Sequence, residues 1–448
     1  LASDIAFQAF IEASAKEIRF ISARKADQYH IVDIPKRGGG RRTIAVPNKR
    51  LKFLQEKVRL LLCELYRPRN CVHGFVCGRS ALSNAQEHLG RPYLVKVDLK
   101  DFFGQITERR VFGLLCSVGI DRVVAMHITQ ICTLSGCLPQ GAPSSPLISN
   151  MVAFSLDNQL LKYCSVNRLR YSRYADDISI SSYSRPNFVI SAAAGSYGKL
   201  QPSDLSEEFR RIFMSQGFEI NDQKIYFSGR TARKYVTGYT INELVNVPRR
   251  HVRRVRAILH NIEVNGYAAE QRKFAAKSQS PKSLRQSLQG QIEWIGFAKG
   301  RSDPVYRRYA LQYNELFSAG MVVGPDFADL ATLSTWVIEA IRYSDKHVEE
   351  QGSAFFLSGF GLVTAEHCAP DNCDLEVFRV DKPSKRYSVT VSRSSQHHDL
   401  ALLSHSIPKE EYLELSLGKR DPGRGEECRL WGFPDYGPGK SIDERFGR

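Results

Sequence analysis

The sequence lacks several features that would place it in a specialised class. No apolar run approaches the roughly 20 residues of a membrane helix, and the N-terminus has no charged segment followed by an apolar one, as a signal peptide would. The ten cysteines lack the paired spacing of a zinc site, and Cys368-x4-Cys373 alone is a weak signal. We therefore expect a reduced, cytoplasmic protein that has no membrane partner.

Acidic residues are scarce in the larger, N-terminal part of the chain. Residues 1–320 contain 48 Lys and Arg against 26 Asp and Glu, a net charge of +22, whereas residues 321–448 contain 15 against 21, a net charge of −6. The basic part suits a polyanionic partner bound through its phosphate groups. With 448 residues the chain is too long for one ordinary core, so we expect at least two domains whose partners differ.

The segment Arg170–Ser181 carries two adjacent carboxylates, Asp176 and Asp177, between apolar and β-branched residues. Neighbouring residues of a strand point to opposite faces, so a hairpin turn is needed to bring both acids to one site. Two carboxylates that lie together repel each other unless a cation sits between them. A solvated Asp-Asp turn is the alternative, and a second acidic element upstream argues against it.

That second element is Tyr93–Phe103, a short apolar strand that ends in acids and two phenylalanines. Asp98 alternates with apolar neighbours and leaves the strand on the opposite face from them. Together Asp98, Asp176 and Asp177 would supply oxygen ligands for two Mg²⁺ ions, and a pair of such ions assists in-line phosphoryl transfer. The sequence V-D-L-x-D-F-F followed by Y-A-D-D resembles the palm of reverse transcriptases.

This resemblance implies which basic residues hold the incoming nucleotide. The glycine-rich segment Ile34–Pro47 resembles the fingers hairpin of the family, in which Arg42, helped by Lys36, would bind the triphosphate. An exposed basic hairpin without this role is the alternative. Lys224 lies in a segment that resembles a later palm motif and would donate a proton to the leaving pyrophosphate, although a plain surface lysine explains it equally well.

The resemblance also implies which residues contact the base pair and the sugar. Leu138–Pro146 is similar to the loop that positions template and nucleotide, which assigns Gln140 and Gly141 to the nascent base pair. Phe103 stands where the family places a ring that blocks a ribose 2′-hydroxyl, so DNA rather than RNA synthesis is implied. For the neighbouring Phe102, a place in the hydrophobic core stays open as an interpretation.

Two further motifs resemble those of retron reverse transcriptases. N-A-x-x-H occurs just before the first palm strand, and V-T-G follows the palm acids. In this order they imply the retron type, and the RNA- or DNA-binding residues expected from them are Asn84, His88, Val236, Thr237 and Gly238. On pattern alone, His88 is better explained as a structural residue of a helix than as a ligand.

Residues 247–318 combine many basic residues with a helical apolar pattern. Pro248 can open a helix that carries several arginines close together. This pattern predicts a helical thumb that grips a duplex by its backbone, and a merely solvated basic face is the alternative. The nucleic-acid-binding residues expected here are Arg249, Arg250, Arg253 and Arg254.

The last part of the chain resembles the first half of a trypsin-like serine protease. The motif T-A-E-H-C places His367 at the triad histidine, and D-L-A-L-L places Asp399 at the aspartate that would orient it. No G-D-S-G-G or G-N-S-G-G motif occurs, and Ser441 lacks that context, so we expect a truncated or degenerate module that does not cleave peptide bonds by itself. Gln351 or Gly352 stands where secreted members carry a cysteine, in agreement with a reducing compartment.

The expected fold is α+β: a right-hand polymerase with fingers, palm and helical thumb, followed by an all-β trypsin-like barrel that is incomplete. We place the fingers and N-terminal helices at 1–90, the palm at 91–243, the thumb at 244–320 and the protease-like domain at 321–448. The resemblance implies a retron-type RNA-directed DNA polymerase that uses Mg²⁺ and dNTPs. It would copy a structured noncoding RNA into a branched RNA–DNA hybrid (msDNA).

The resemblance further implies anti-phage defence, in which the protease-like domain acts as the effector on a phage or partner protein and the chain forms an oligomer with nucleic acid. Two alternatives stay open. One is another bacterial retroelement enzyme, of the diversity-generating or intron type, although maturase and endonuclease regions are missing. The other is a nucleic-acid-sensing scaffold whose main activity is proteolysis, which the three acids argue against.

Overall fold

The chain folds into two compact units, Leu1–Lys299 and Gly300–Arg448. The thumb expected at 244–320 therefore spans the division, and its last helix belongs to the second unit. In the described part of the chain no helix is both long enough and apolar enough to cross a membrane. The computed structural model describes residues 3–35, 40–191, 197–277, 283–324, 327–344, 347–417, 428–433 and 443–447.

Several helices of the first unit begin where the sequence offers a side-chain cap. Ser14 and Asp121 accept hydrogen bonds from first-turn N–H groups, which satisfies those donors. Residues 3–23 and 108–134 each contain two helices, and the second helix of each pair begins at one of these caps. The helices are α1 (Asp4–Ile11), α2 (Ala15–Ala23), α3 (Lys49–Leu65), α4 (Ala81–Gln86), α5 (Glu108–Ser117), α6 (Arg122–Cys132), α7 (Ser145–Val152), α8 (Phe154–Val166), α9 (Glu207–Ser215), α10 (Arg249–Asn265), α11 (Tyr267–Lys277) and α12 (Leu284–Lys299).

Strands of the first unit pair antiparallel throughout the described residues. They are β1 (Tyr29–Pro35), β2 (Arg41–Pro47), β3 (Tyr93–Asp98), β4 (Arg170–Tyr174), β5 (Asp177–Ser182), β6 (Gly198–Lys199), β7 (Tyr226–Ser228), β8 (Tyr235–Val236) and β9 (Tyr239–Thr240). The central sheet has the order β4-β5-β3-β7-β6, while β1–β2 and β8–β9 are separate hairpins. The strand predicted at the first acid is β3, and the predicted acid-bearing hairpin is β4–β5.

The two faces of the central sheet differ because side chains alternate along each strand. Val95, Val97, Ile178 and Ile180 are fully buried on one face and join the hydrophobic core under α5 to α8. The other face carries several polar side chains. On it, Asp98 of β3 lies opposite an acid of β5. The sheet thus packs on the core through its apolar face, and the polar face carries the acids.

The second unit contains a closed barrel. Its elements are α13 (Pro304–Phe317), α14 (Phe327–Ser334), β10 (Thr335–Arg342), β11 (Val348–Leu357), β12 (Gly361–Thr364), β13 (Cys373–Phe378), β14 (Arg386–Ser395), β15 (Leu400–Ser404), β16 (Cys428–Gly432) and β17 (Asp443–Gly447). The barrel order is β10-β11-β12-β15-β14-β13, and β16–β17 form a separate hairpin. Trp336 and Phe356 are buried at its centre with their rings edge to face. This barrel, expected to be incomplete, closes because β10 pairs with both β11 and β13.

Candidate active site

The acids of the first unit meet at the end of β3. Asp177 is the first residue of β5 and lies directly opposite Asp98 in the strand register, while Asp176 occupies the turn before it. Ala175 has a positive φ of 57°, which lets the chain reverse in so short a turn. The N–H of Leu99 donates to the Asp176 carbonyl at 2.9 Å, so the turn is also tied to β3. The predicted approach of the acidic elements is confirmed.

Asp98 is nearly buried and receives two donors. The Lys224 Nζ atom lies 2.8 Å from Asp98 Oδ2, and the Asn221 Nδ2 atom donates to Asp98 Oδ1 at 3.1 Å. The Lys224 side chain is 53% exposed, so its ammonium reaches the acid from the solvent side. Lys224 is therefore placed at the acids, whereas Asn221 is a partner that sequence reasoning missed.

Asp176 and Asp177 face different surroundings. Burial, followed by the nearby Asp98 carboxylate, raises the pKa of Asp176. Burial also raises the pKa of Asp177, but the Lys96 ammonium, 3.3 Å from its Oδ2 atom, opposes this. Lys96 lies two residues before Asp98 on the same face of β3, so the period of two along a strand could have found it.

A fully buried ion pair fixes the hairpin from its other face. Arg173 on β4 donates from Nε and Nη2 to the two Asp157 carboxylate oxygens of α8, each at 2.7 Å. Its Nη1 atom donates to Asn150 Oδ1 at 3.0 Å and to the Ala175 carbonyl at 3.1 Å. Burial alone would lower the pKa of Arg173, but the Asp157 carboxylate outweighs it and the pKa is raised. Sequence reasoning missed this pair, because Asp157 is an ordinary helix residue in the sequence.

A cleft of about 680 Å³ opens in front of the acids. Residues predicted as catalytic or nucleotide-binding that line it are Asp98, Asp176, Lys224, Arg42, Phe103 and Gln140. Asp177 is not among the lining residues. A volume of this size is in the range of small-molecule sites, so the cleft can take a nucleotide.

Two phenylalanines at the end of β3 have different surroundings. Phe103 is half-buried at the cleft, and its ring centroid lies 6.3 Å from that of Phe75. Phe102 is 4% exposed and stacks on Phe218 with centroids 5.8 Å apart. Phe102 is therefore mainly a core residue that reaches the wall of the cleft, and Phe103 is the more exposed of the two.

The loop after α6 is joined to the fingers hairpin. The N–H of Ala45 on β2 donates to the Gln140 carbonyl at 2.8 Å. Gly141 follows with φ of 126°, and a Cβ atom there would lie 2.6 Å from the Ala45 carbonyl oxygen, so a side chain does not fit. Arg42 is exposed on β2. Lys36 lies outside the described residues.

Asn84 and His88 do not lie on a surface, which corrects their expected contact with RNA or DNA. Both side chains are 0% exposed. The two His88 ring nitrogens lie 2.6 Å and 2.7 Å from the hydroxyl oxygens of Ser181 and Ser172, and Asn84 accepts from the Ser172 hydroxyl at 2.7 Å. Their polar atoms are turned towards the acid-bearing hairpin, as the structural explanation of His88 expects.

The V-T-G motif forms the tight turn between β8 and β9. Val236 is fully buried, Thr237 has φ of 45°, and Gly238 has φ of 91°. The Thr237 hydroxyl donates to the carbonyl of Ala81 in α4 at 2.6 Å. The two motifs thus pack against each other, and a nucleic-acid contact through the buried Val236 side chain is excluded.

The predicted thumb arginines lie on α10. Arg249, Arg250, Arg253 and Arg254 are exposed, whereas Val255 on the same helix is buried. Within the described residues no ion pair holds the four guanidinium groups. They are available to phosphate groups.

In the second unit, His367 and Asp399 come together as predicted. The His367 Nδ1 atom lies 2.8 Å from Asp399 Oδ2, and the backbone N–H of His367 donates to Asp399 Oδ1 at 3.2 Å. These contacts lower the pKa of Asp399. The hydrogen bond from the backbone N–H of His367 has the largest effect, and the bond to the ring comes next. Both side chains are exposed, at 65% and 51%. Ser441 lies outside the described residues.

Gly352 stands opposite a free thiol in the barrel. A Cβ atom on Gly352 would lie 2.3 Å from the Sγ atom of Cys368, which is buried and unpaired. Of the two positions considered for the missing cysteine, Gly352 is therefore the one that faces Cys368. The glycine makes room for the thiol where a disulfide is absent.

Whether the acids suit a divalent cation follows from their donor atoms. Among the described residues no three His, Cys, Asp or Glu side chains converge as a metal site. Asp98 and Asp176 nevertheless offer carboxylate oxygens to one cleft, and Mg²⁺ is commonly held by one or two carboxylates together with substrate phosphate and water. Burial and the neighbouring Asp98 carboxylate raise the pKa of Asp176, so a cation bound between these acids would favour their ionised forms. These two residues fit the ion.

Comparison with known proteins agrees with this geometry. Residues 34–241 match the family model described as reverse transcriptase (RNA-dependent DNA polymerase), and residues 352–446 match a trypsin-like peptidase domain. The retron Ec86 reverse transcriptase of Escherichia coli is 32% identical over 252 residues, which cover 56% of this chain and 74% of that protein. This chain belongs to the retron reverse transcriptases.

Other members of the family match over similar lengths. The retron Ec83 enzyme of Escherichia coli is 31% identical over 55% of this chain and 81% of its own length. The retron Mx65 enzyme of Myxococcus xanthus is 34% identical over 51% of this chain and 54% of its own. The chain is therefore an RNA-directed DNA polymerase that also carries a trypsin-like domain, and enzymes with a reverse transcriptase domain generally use divalent metal ions.

Proposed function

We propose that this chain copies a structured noncoding RNA into DNA with dNTPs and two Mg²⁺ ions, and leaves the DNA joined to the RNA as a branched hybrid (msDNA). The observation that carries the proposal is the cleft in which Asp98, Asp176, Arg42 and Lys224 converge. Two acids and two cations at one cleft suit a nucleotide that brings a triphosphate and its metal ions. The N-A-x-x-H and V-T-G motifs support the retron type.

The side chains at the cleft divide the work. Asp98 and Asp176 would hold Mg²⁺, which stabilises the attacking and leaving oxygens of the phosphoryl transfer when bound. Arg42 binds triphosphate oxygens by charge-assisted hydrogen bonds. Lys224, held beside Asp98, protonates the pyrophosphate as it leaves. Phe103 blocks the space of a 2′-hydroxyl and so selects deoxynucleotides.

Recognition of the nucleic acid falls to exposed residues of the first unit. Arg249, Arg250, Arg253 and Arg254 lie along one helix and are free to contact the phosphates of a duplex. The excess of basic residues before position 320 supports a polyanionic partner. We further propose that the chain forms an oligomer with its RNA–DNA product and works in the cytoplasm, which the unpaired cysteines of the described part support.

Primer extension tests the polymerase. The protein is incubated with structured RNA, labelled dNTPs and Mg²⁺, and parallel reactions use a DNA primer on a plain RNA template. Asp176→Asn should yield no product, while Asp222→Asn, which changes an exposed acid of the loop before Lys224, should extend normally. A wild-type protein that extends neither substrate contradicts polymerisation. Extension of the DNA primer alone contradicts only the branched product.

A second proposed function concerns the barrel. The contact between His367 and Asp399 has the arrangement that orients a histidine as a base towards a serine. We propose that this domain is the effector of an anti-phage system and acts on a phage or partner protein once a serine nucleophile is supplied. A fluorophosphonate probe, which labels only an activated serine, tests this: these 448 residues alone should not react, whereas a form extended by a serine nucleophile should. Labelling that survives His367→Ala would contradict the assignment.

A further inference from the structure

The catalytic hairpin is joined to the segment that begins with α4 through a buried polar network whose centre is His88. One ring nitrogen contacts Ser172 of β4 and the other contacts Ser181 of β5, at 2.7 Å and 2.6 Å. A single side chain therefore holds both strands of the hairpin. Ser172 also donates to Asn84 at 2.7 Å, so the network includes the first residue of the N-A-x-x-H motif.

The hydrogen-bond partners suit a neutral His88 ring. The Ser172 hydroxyl lies within hydrogen-bond distance of His88 Nε2 and of Asn84 Oδ1, and the Ser181 hydroxyl lies at Nδ1. A neutral imidazole has one donor and one acceptor nitrogen, and a serine hydroxyl can serve either. Burial, with smaller contributions from the nearby Arg91 and Arg170 guanidinium groups, lowers the pKa of His88 to about 3. The ring thus keeps its donor and its acceptor at neutral pH.

The network acts on the face of the sheet that carries the acids. Ser181, Ser179 and Asp177 alternate along β5, so they share one face, and Asp177 lies opposite Asp98. Four residues of strand separate Ser181 from Asp177, about 13 Å. A strand is stiff over this length. The hydrogen bonds from His88 to the hairpin therefore help to determine the position of Asp176 and Asp177.

The other end of the network leads to the V-T-G turn. Thr237 donates to the carbonyl of Ala81, the first residue of α4. Next to it, the Tyr239 ring lies 5.5 Å from that of Trp294 on α12. The segment with His88 is thus held between the catalytic hairpin and a turn that packs on a thumb helix.

We propose that His88 is a positioning residue for DNA synthesis: it holds the acid-bearing hairpin in register with β3 and touches neither nucleotide nor RNA. This rests on the reverse transcriptase activity of the chain. Loss of the ring would displace Asp176 and Asp177 slightly from Asp98. A displacement of about 1 Å in a catalytic group costs about 10²-fold in rate, whereas binding of the nucleic acid needs no such accuracy.

Steady-state kinetics of primer extension on an RNA template test this. His88→Leu removes both hydrogen bonds and should lower kcat by about 10- to 100-fold, while KM for dNTP and Kd for the primer–template stay within about twofold. His88→Asn places an amide near the position of Nδ1, and His88→Gln places one near the position of Nε2. Each variant should recover part of kcat. In the His88→Leu background, Ser181→Ala should cause little further loss, because the two residues share one interaction.

Ser179→Ala is the matched control. Ser179 lies on the same face and closer to the acids, and its hydroxyl makes no hydrogen bond within the described residues, so kcat should not change. If His88→Leu does not fold, Ser172→Ala and Ser181→Ala make the same test with milder changes. A rise in KM or Kd at constant kcat would show that His88 contacts substrate. A fall in kcat that only follows the folded fraction in thermal melts, or no fall at all, would equally overturn the proposal.

Discussion

The palm site and the barrel pair both set a carboxylate beside a positive or basic group, yet they are built in opposite ways. In the palm, Asp176 is mostly buried and its hairpin is held by Arg173 on one face and His88 on the other. In the barrel, His367 and Asp399 are more than half exposed. The palm keeps its acids in place before any ligand arrives. The barrel pair is oriented by hydrogen bonds from the ring and the backbone N–H of His367 to the Asp399 carboxylate.

The two sites therefore differ in how much stability they require from the fold. A buried carboxylate pair is unfavourable and persists only if the surrounding structure enforces it, so the palm site lowers the stability of the fold and is ready to bind cations. An exposed pair has little effect on stability and, in trypsin-like domains, becomes a catalytic centre only with a serine and an oxyanion hole beside it.

The largest effect is expected for the acids that line the cleft. Asp98→Asn or Asp176→Asn removes a carboxylate charge that we propose binds Mg²⁺. Such a charge would supply several kcal/mol to the transition state, which corresponds to roughly 1,000-fold in kcat. Asp177→Asn should cost less, because its carboxylate pairs with Lys96. Single-turnover extension measures the rates, and equal losses in all three variants would show that Asp177 is an equal ligand.

The next effect concerns the ion pair under the hairpin. Arg173→Met leaves the Asp157 charge buried without a charged partner and should lower the free energy of unfolding by about 3–5 kcal/mol. Arg170→Met breaks an exposed pair with Glu87 and should cost about 0–1 kcal/mol. Urea unfolding of the two variants gives the comparison. Similar losses would mean that the buried pair is not what holds the hairpin.

Sugar selection should respond to Phe103. Phe103→Val opens space at the cleft and should raise the ratio of ribonucleotide to deoxyribonucleotide incorporation by about tenfold or more. Phe188→Val, which changes an exposed phenylalanine that is not among the cleft residues, is the control. Competition of both nucleotides in primer extension measures the ratio. If the ratio is unchanged, another residue excludes the 2′-hydroxyl.

A smaller effect is expected on stability. The raised pKa of Asp176 means that its ionised form destabilises the fold above the unfolded pKa. Asp176→Asn should therefore raise Tm at neutral pH in EDTA, and the gain should shrink as the pH falls and Asp176 takes up a proton. Mg²⁺ should stabilise the parent and not the variant. A Tm gain that is independent of pH would contradict this origin.

The smallest effect is expected in the barrel. His367→Ala should leave Tm within error, because both partners are exposed. Diethyl pyrocarbonate, read out by mass spectrometry, should modify His367 and spare the buried His88 in the same sample. Protection of His367 would show that the barrel pair is covered in solution, and the contrast with the palm would fail.

Much of the site could be read from local patterns. Alternation around Asp98 predicts its face correctly, and the Y-A-D-D turn, Phe102 and the His367–Asp399 pair follow from short motifs. The nucleic-acid contacts expected of Asn84 and His88 were wrong. A motif shows which residues a family requires, but it does not show whether they bind a ligand or hold the structure together. Arg173 with Asp157 was missed, since the two lie on a strand and a helix whose packing no local pattern reveals.

By itself the sequence determined the class of chemistry, because carboxylates, a basic surface and a stiff strand are properties of residue types and their spacing. The change of charge near residue 320 also indicates two parts, whereas the compact units of the structure divide between Lys299 and Gly300. Only the tertiary structure decided which polar residues face the cleft and which are enclosed. The location of each polar residue depends on contacts between segments distant in the chain, such as His88 with Ser181. A polar side chain that is buried by such contacts stabilises the structure and does not bind a substrate.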